Sequence, residues 1–378
     1  MSLPEFDFSE VLRQMVETRA SDVHITAHFP PAIRDKGRIR PMEGFPVLNA
    51  QQTREVVYGI LNDDQRKRFE VDQQLDFAYA IPGVARFRVN CFFQRGAVSA
   101  AFRLIPQEIP ALDSLGVPPV LRELTQKPRG FVLVTGPTGS GKSTTLAAMI
   151  DAINVEREDH ILTIEDPIEF LHRHKRSIVN QREIGSDAPD FGRGLRAALR
   201  QDPDVILVGE MRDLETVSTA LTAAETGHLV FATLHTQSTA QTVDRVIDVF
   251  PPEQQGQVRT QLSIALQGIV TQQLLPTSDG RGRVVATEVL IPTPAIRNLI
   301  REGKTHQIYA ALQTSGAVGM QTMDADLARL VRSGKIGRSL AEQRASVPEE
   351  LSRLLGGAPA TAGVAAPMGS PVYSNGGG

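Results

Sequence analysis

Over the first hundred residues the spacing of apolar positions switches several times. Phe8, Val11, Leu12, Met15 and Val16 recur at helical spacing within 6–19, an amphipathic helix. From Ala20 to Ile25 the pattern alternates and predicts a strand, residues 51–71 return to a helical period, and Leu75 to Tyr79 predict another strand. Residues 86–93 alternate, with Phe87, Val89, Cys91 and Phe93 on one face and Arg86, Arg88 and Asn90 on the other. Residues 97–105 form a second such strand, with Val98, Ala100, Phe102 and Leu104 facing away from Arg103. If Arg95-Gly96 is a two-residue turn, Arg88 falls opposite Arg103. Like charges placed opposite each other destabilise a hairpin, so the arginine face either asks for an anion or splays into solvent. Short strands mixed with helices predict a small α/β domain over 1–105.

Proline then clusters at positions 106, 110, 118 and 119, which places a hinge at 106–114. Beyond it the strands read differently. Residues 130–135, 160–164, 205–208 and 229–234 are continuous apolar, β-branched runs, as strands buried on both faces require. Helical periods separate them: Leu146, Met149, Ile150 and Ile153 mark one helix, and a stretch closing at Asp202-Pro203-Asp204 marks another. A mostly parallel α/β domain over 115–350 follows. Residues 351–378, rich in Gly, Ala, Pro and Ser, predict a disordered tail.

Composition narrows the class. Hydrophobic residues make up 41% and charged residues 22%, enough for packed cores. Forty basic residues against 43 acidic give a net charge of −3, which speaks against a nucleic-acid partner. Cys91 is the single cysteine, so an intramolecular disulfide and a multi-cysteine zinc site are both excluded. No apolar run approaches the roughly 20 residues that span a bilayer, and the first residues lack a secretory pattern, so a cytoplasmic protein is expected.

The chemistry concentrates where strands end. Gly136-Pro137-Thr138-Gly139-Ser140-Gly141-Lys142-Ser143-Thr144 follows a buried strand and opens a helix, the context a phosphate-binding P-loop needs. Its glycines let N–H groups curl round a phosphate, the helix start adds positive potential, Lys142 reaches the β- and γ-phosphates, and Ser143 offers its hydroxyl to Mg²⁺. ATP and Mg²⁺ are the expected ligands. The strand at 160–164 runs into Glu165-Asp166-Pro167, whose acids serve Mg²⁺ or water, or cap the turn. Val205 to Val208 lead to Gly209-Glu210, a Walker B strand with glycine where aspartate is usual; Glu210 is the candidate for polarising the attacking water. Arg212 close behind reads as a salt-bridge partner as readily as a catalytic group. His235 ends the next strand on the nucleotide side, placed to sense the γ-phosphate, whereas His228 sits at the opposite end and His24 reads as a strand-face residue with a structural partner.

Together the P-loop, Ile164-Glu-Asp-Pro-Ile-Glu169, Gly209-Glu-Met-Arg-Asp213 and Gly227-His…Leu-His-Thr236 resemble, in order, the Walker A, Asp box, Walker B and His box of the secretion ATPase superfamily. Ala295-Ile-Arg-Asn-Leu-Ile-Arg-Glu302, Ala20-Ser-Asp-Val-His-Ile25 and Arg86-Phe-Arg-Val-Asn90 resemble its pilus retraction branch, the PilT family. Pilus-assembly and type II secretion ATPases of the same superfamily are the alternative, but they usually carry a longer N-terminal region and a four-cysteine zinc site. A RecA-like DNA translocase and a non-hydrolysing regulatory subunit stand further off. The resemblance implies a homohexamer of subunits with a PAS-like N-terminal domain and a RecA-like core. It implies that Arg86, Arg88 and Arg103 swing onto the nucleotide as the hinge closes. It also implies docking on an inner-membrane pilus platform protein at the inner face of the cell membrane, and a role in retraction for the segment 295–302.

Overall fold

The computed structural model describes residues 7–35, 37–106 and 108–356. The N-terminal sheet is antiparallel and is built from β1 (Asp22–Ile25), β2 (Ala32–Asp35), β3 (Arg38–Pro41), β4 (Gln74–Ile81), β5 (Ala85–Gln94) and β6 (Ala97–Ile105). Its order is β3-β2-β1-β6-β5-β4. The β5–β6 hairpin turns at Arg95 and Gly96, whose φ angles of 50° and 77° are both left-handed. Such a turn matches the twist of its strands and fixes the register. Arg88 therefore pairs opposite Arg103, the alignment read from the alternation. Phe87, Val89, Cys91, Val98, Ala100 and Phe102 point into one apolar core with Val11, Leu12 and Met15 of the helix Phe8–Glu17.

The helical period over 51–71 resolves into two helices, Ala50–Ile60 and Asp63–Asp72. Asn62 makes the break: its side chain accepts from the Gln65 N–H while Gln65 bonds back to the Asn62 N–H. A full capping box starts a new helix more strongly than the shared period continues the old one.

The second sheet holds β7 (Gly130–Thr135), β8 (His160–Glu165), β9 (Ile178–Glu183), β10 (Val205–Val208), β11 (Leu229–Leu234), β12 (Leu266–Pro276) and β13 (Arg283–Leu290). The order is β13-β12-β7-β11-β10-β8-β9, parallel except where β13 turns back on β12. Alternate residues of β7 feed two apolar clusters: Phe131 and Leu133 enter one, Val132 and Val134 the other. A strand sealed on both faces explains the continuous apolar run. β7 is an inner strand, flanked in parallel by β12 and β11, so the chain leaves it into the P-loop well inside the sheet's edges.

Three boundaries shift from the sequence reading. The helix expected to close at 202–204 spans Phe191–Ala198. The hinge gives way early, since Leu112–Leu115 form a 3-10 turn and Leu112 is buried in the apolar core of the second sheet. The chain beyond 350 is still helical: Pro348–Leu354 packs through Leu351 beside Leu327 and Leu330, and residues 357–378 of the expected tail lie outside the described residues. In the helix Pro294–Glu302, Ile296 and Ile300 are buried in the sheet's own core, and Arg297 donates to the carbonyls of Ser263, Ile264 and Leu266. Its apolar stripe is thus spent on internal packing. Among the described residues no helix is long and apolar enough to cross a membrane.

Candidate nucleotide site

The P-loop leaves β7 through Gly136, Gly139 and Gly141, with φ of 141°, 79° and 89°. A Cβ on Gly136 would lie 2.3 Å from the Gln272 carbonyl oxygen, so glycine is enforced there by both conformation and space. Pro137, Thr138 and Gly139 form the exposed crest, Ser143 and Thr144 are half-buried, and Ser140 turns inward. Gln272 on β12 braces the loop from below, donating through Nε2 to the Ser140 carbonyl at 2.7 Å. Lys142 folds back along the loop, donating to the carbonyls of Gly136 at 2.7 Å and Pro137 at 3.1 Å. Burial holds its ammonium below the usual lysine range.

Two features test the fit of a phosphate. The helix Lys142–Glu156 starts at Gly141 with no side-chain acceptor on its first N–H groups, which leaves them for an anion. The buried Ser140 Oγ has no partner. Both suit phosphate oxygens.

Around the loop the neighbouring strand ends bring carboxylates together. Glu165 ends β8 and accepts from Thr163 Oγ1 at 2.6 Å and Gln181 Nε2 at 3.1 Å. Burial pushes its carboxyl up. Glu165, Ser143, Gly209, Thr233 and His172 line a cavity of about 40 Å³. A hydroxyl and a carboxylate at one small cavity are the hard oxygen donors Mg²⁺ prefers. Asp166 is exposed just beyond. Burial pushes the His172 imidazole down to about 4, so it stays neutral.

Gly209 occupies the position where an aspartate is commoner, and packing gives the reason. A Cβ there would sit 3.1 Å from the Ile164 carbonyl and 3.2 Å from the Glu165 Cα, and the Gly209 N–H bonds that carbonyl at 2.8 Å. Glu210 follows. Arg212 grips it with two bonds, Nε to Oε1 at 2.6 Å and Nη2 to Oε2 at 2.7 Å. His235 Nε2 reaches the same Oε1 at 3.1 Å. The Arg212 bond, ahead of the field of His235, holds Glu210 below the usual glutamate range.

The arginine face is brought to the core in part. Arg86 crosses between domains to Glu183 at the end of β9, at 2.5 Å, and Glu183 also accepts from the Ile168 N–H at 3.1 Å. Arg88, 4.0 Å from Asp76, lines a cleft of about 1010 Å³ together with Asp166, Pro167 and Glu183. Arg103 stays within its own domain, on Asp22 at 2.8 Å. Of the two alternatives open for the arginine face, the anion is the one met here: each guanidinium has a carboxylate beside it. Glu183, Asp22 and Gln272 carried no local signal, because their partners lie far along the chain. His228 Nδ1 bonds the Ala223 carbonyl at 3.0 Å and closes a helix end. His24 lies on β1 with a buried Nε2 that has no partner, where a structural one was expected.

A P-loop between a central parallel strand and a helix, with acids on adjacent strand ends, defines a RecA-like ATPase core, here joined to a PAS-like N-terminal domain. Residues 5–336 match the model of the type II/IV secretion system proteins. The chain belongs to that family, in its PilT branch of pilus retraction ATPases. It is 53% identical over 343 residues to the type IV pilus retraction ATPase PilT of Pseudomonas aeruginosa, covering 91% of this chain and 99% of that one. A twitching motility protein of Neisseria gonorrhoeae is 51% identical over 337 residues, 89% of this chain and 90% of that one. A crystal structure of the pilus retraction motor PilT with bound ADP superposes with a TM-score of 0.87 at 51% identity, covering 92% of this chain and all of that one.

Proposed function

We propose that this chain is an ATP-hydrolysing motor for type IV pilus retraction. It works as a homohexamer on the inner face of the cell membrane, docked on a pilus platform protein. The observation that carries the chemistry is the Glu210–His235–Arg212 cluster, which gathers the ends of β11 and β10, the next two strands beyond β7 and its P-loop. The likeness to a retraction ATPase along nine-tenths of the chain supports the choice of system.

The P-loop N–H groups and Lys142 cradle the phosphates, and Ser143, with Glu165 nearby, would hold Mg²⁺. When bound, the ion neutralises charge on the phosphate oxygens. Glu210, kept ionised by Arg212, orients the attacking water. Its depressed pKa makes it a weak base, so positioning rather than full proton removal is its contribution. Each Glu210 oxygen has two lone pairs, so a water can still be accepted beside Arg212. His235, held on Glu210 Oε1, is the sensor of the γ-phosphate. Arg86, Arg88 and Arg103 complete the site as the domains close, exchanging a carboxylate for a phosphate. Such arginines typically supply about 10³–10⁵ in rate.

Phosphate release by the purified protein tests the chemistry. Lys142→Ala and Glu210→Gln both lose turnover, by about a thousandfold or more, and Glu210→Gln still binds ATP. Full turnover in Glu210→Gln removes that residue from the mechanism. In cells, loss of the gene leaves surface filaments in excess and motility absent.

A further inference from the structure

Beneath the nucleotide site lies a row of threonine hydroxyls that the mechanism above does not use. Thr135, the last residue of β7 before the P-loop, is fully buried, as are Thr242 and nearly so Thr271. Thr135 Oγ1 is 2.7 Å from Thr271 Oγ1 on β12 and 3.4 Å from Thr242 Oγ1 on the helix Thr239–Asp248. Thr242 Oγ1 is 2.6 Å from Thr236 Oγ1 and donates to the Ser238 carbonyl at 2.8 Å. With that proton committed to Ser238, Thr242 accepts from Thr236 and from Thr135, and Thr135 accepts from Thr271. Every hydroxyl proton then has an acceptor.

The row has a direction in space. It starts at the strand that carries Gln272, passes the root of the P-loop, and ends on Thr236 and Ser238, the residues that follow His235. The same loop is anchored once more from β13, where Glu288 Oε1 accepts from both the N–H and the hydroxyl of Thr239 at 2.7 and 2.8 Å. An apolar residue of the same shape would fill these sites without leaving buried hydroxyls to satisfy. Polar groups retained in such a place fix geometry, because a partly satisfied buried network is costly.

We propose, resting on the ATPase reading, that Thr135, Thr242 and Thr236 are positioning residues for hydrolysis. They tie the P-loop root to the loop of His235, and so hold His235 at hydrogen-bond distance from Glu210. They touch no substrate. Their loss lets the His235 loop drift while the phosphate cradle, anchored by its own backbone and by Gln272, stays in place.

Thr242→Val removes the hydroxyl and keeps the volume; Thr242→Ser keeps the hydroxyl. In the full-length protein, Thr242→Val lowers kcat about tenfold, as a small misplacement of a catalytic group does. The ATP dissociation constant stays within about twofold, and Thr242→Ser turns over at close to the wild-type rate. Three results overturn the proposal: an unchanged kcat in Thr242→Val, equal losses in the Val and Ser variants, or an affinity that weakens as much as kcat falls. If Thr242→Val does not fold, Thr236→Val at the half-buried end of the row is read by the same criteria. Wild-type turnover that Glu210→Gln abolishes upholds the ATPase reading whatever the threonine variants do.

Discussion

A single guanidinium sets how far the carboxyl pKa of Glu210, the proposed catalytic glutamate, is depressed. Arg212 meets both oxygens of Glu210, and this bond is the largest cause of the depressed carboxyl pKa. Glu210 is therefore ionised well below neutral pH and is protonated only as pH falls through its lowered value. Arg212→Ala removes that cause, so the acid limb of kcat against pH moves upward; an acid limb that stays in place would separate Arg212 from the function of Glu210. Stability follows the same sign, with the pair's contribution present above the ordinary glutamate pKa and lost on acidification. Lys142, Ser143, Glu165, Glu210 and His235 were legible because each sits within a few residues of its strand end. The grip of Arg212 was half legible, two residues from its partner but with no spacing rule to choose a salt bridge. Glu183 was not legible at all: Arg86 lies 97 residues away, and only the packing of two domains brings them together.

Within elements, local physics reads well where one period rules. The β5–β6 hairpin, its two-residue turn and its facing arginines followed from alternation alone. The 51–71 segment failed because a capping box is written in four polar residues, which an apolar period passes over. β12 and β13 carry no motif, yet β12 supplies Gln272 and Thr271 beneath the P-loop. The P-loop shows how unlike two glycines of one element are. At Gly139 an added Cβ meets nothing within 4 Å, so alanine costs only the left-handed backbone, about 1–2 kcal/mol. At Gly136 the Cβ strikes the Gln272 carbonyl, and the β7–β12 pairing or the loop must move. Denaturant titration without nucleotide should show Gly136→Ala destabilised by clearly more than Gly139→Ala. Equal losses would mean that the loop gives way freely.

Across the molecule, the two domains share charge through one ion pair, and the proposed role of Arg86 draws on it. Arg86 binds Glu183, and Glu183 binds the backbone of the Asp box segment at Ile168. To reach a phosphate, Arg86 has to leave that carboxylate, so the ion pair and the nucleotide compete for one guanidinium. Arg86→Ala should lower kcat by about 10³ while ATP affinity changes only a few-fold. A matching loss of affinity would assign Arg86 to ground-state binding instead.

The two sheets keep their apolar residues apart: Val11, Phe87 and Phe102 pack in one cluster, while Leu133, Ile164 and Val208 pack in another. The Arg86–Glu183 ion pair ties the two halves together across that division. Differential scanning calorimetry should accordingly resolve two endotherms, with bound nucleotide raising the one that belongs to the P-loop half and a Glu183→Ala change pulling the pair further apart.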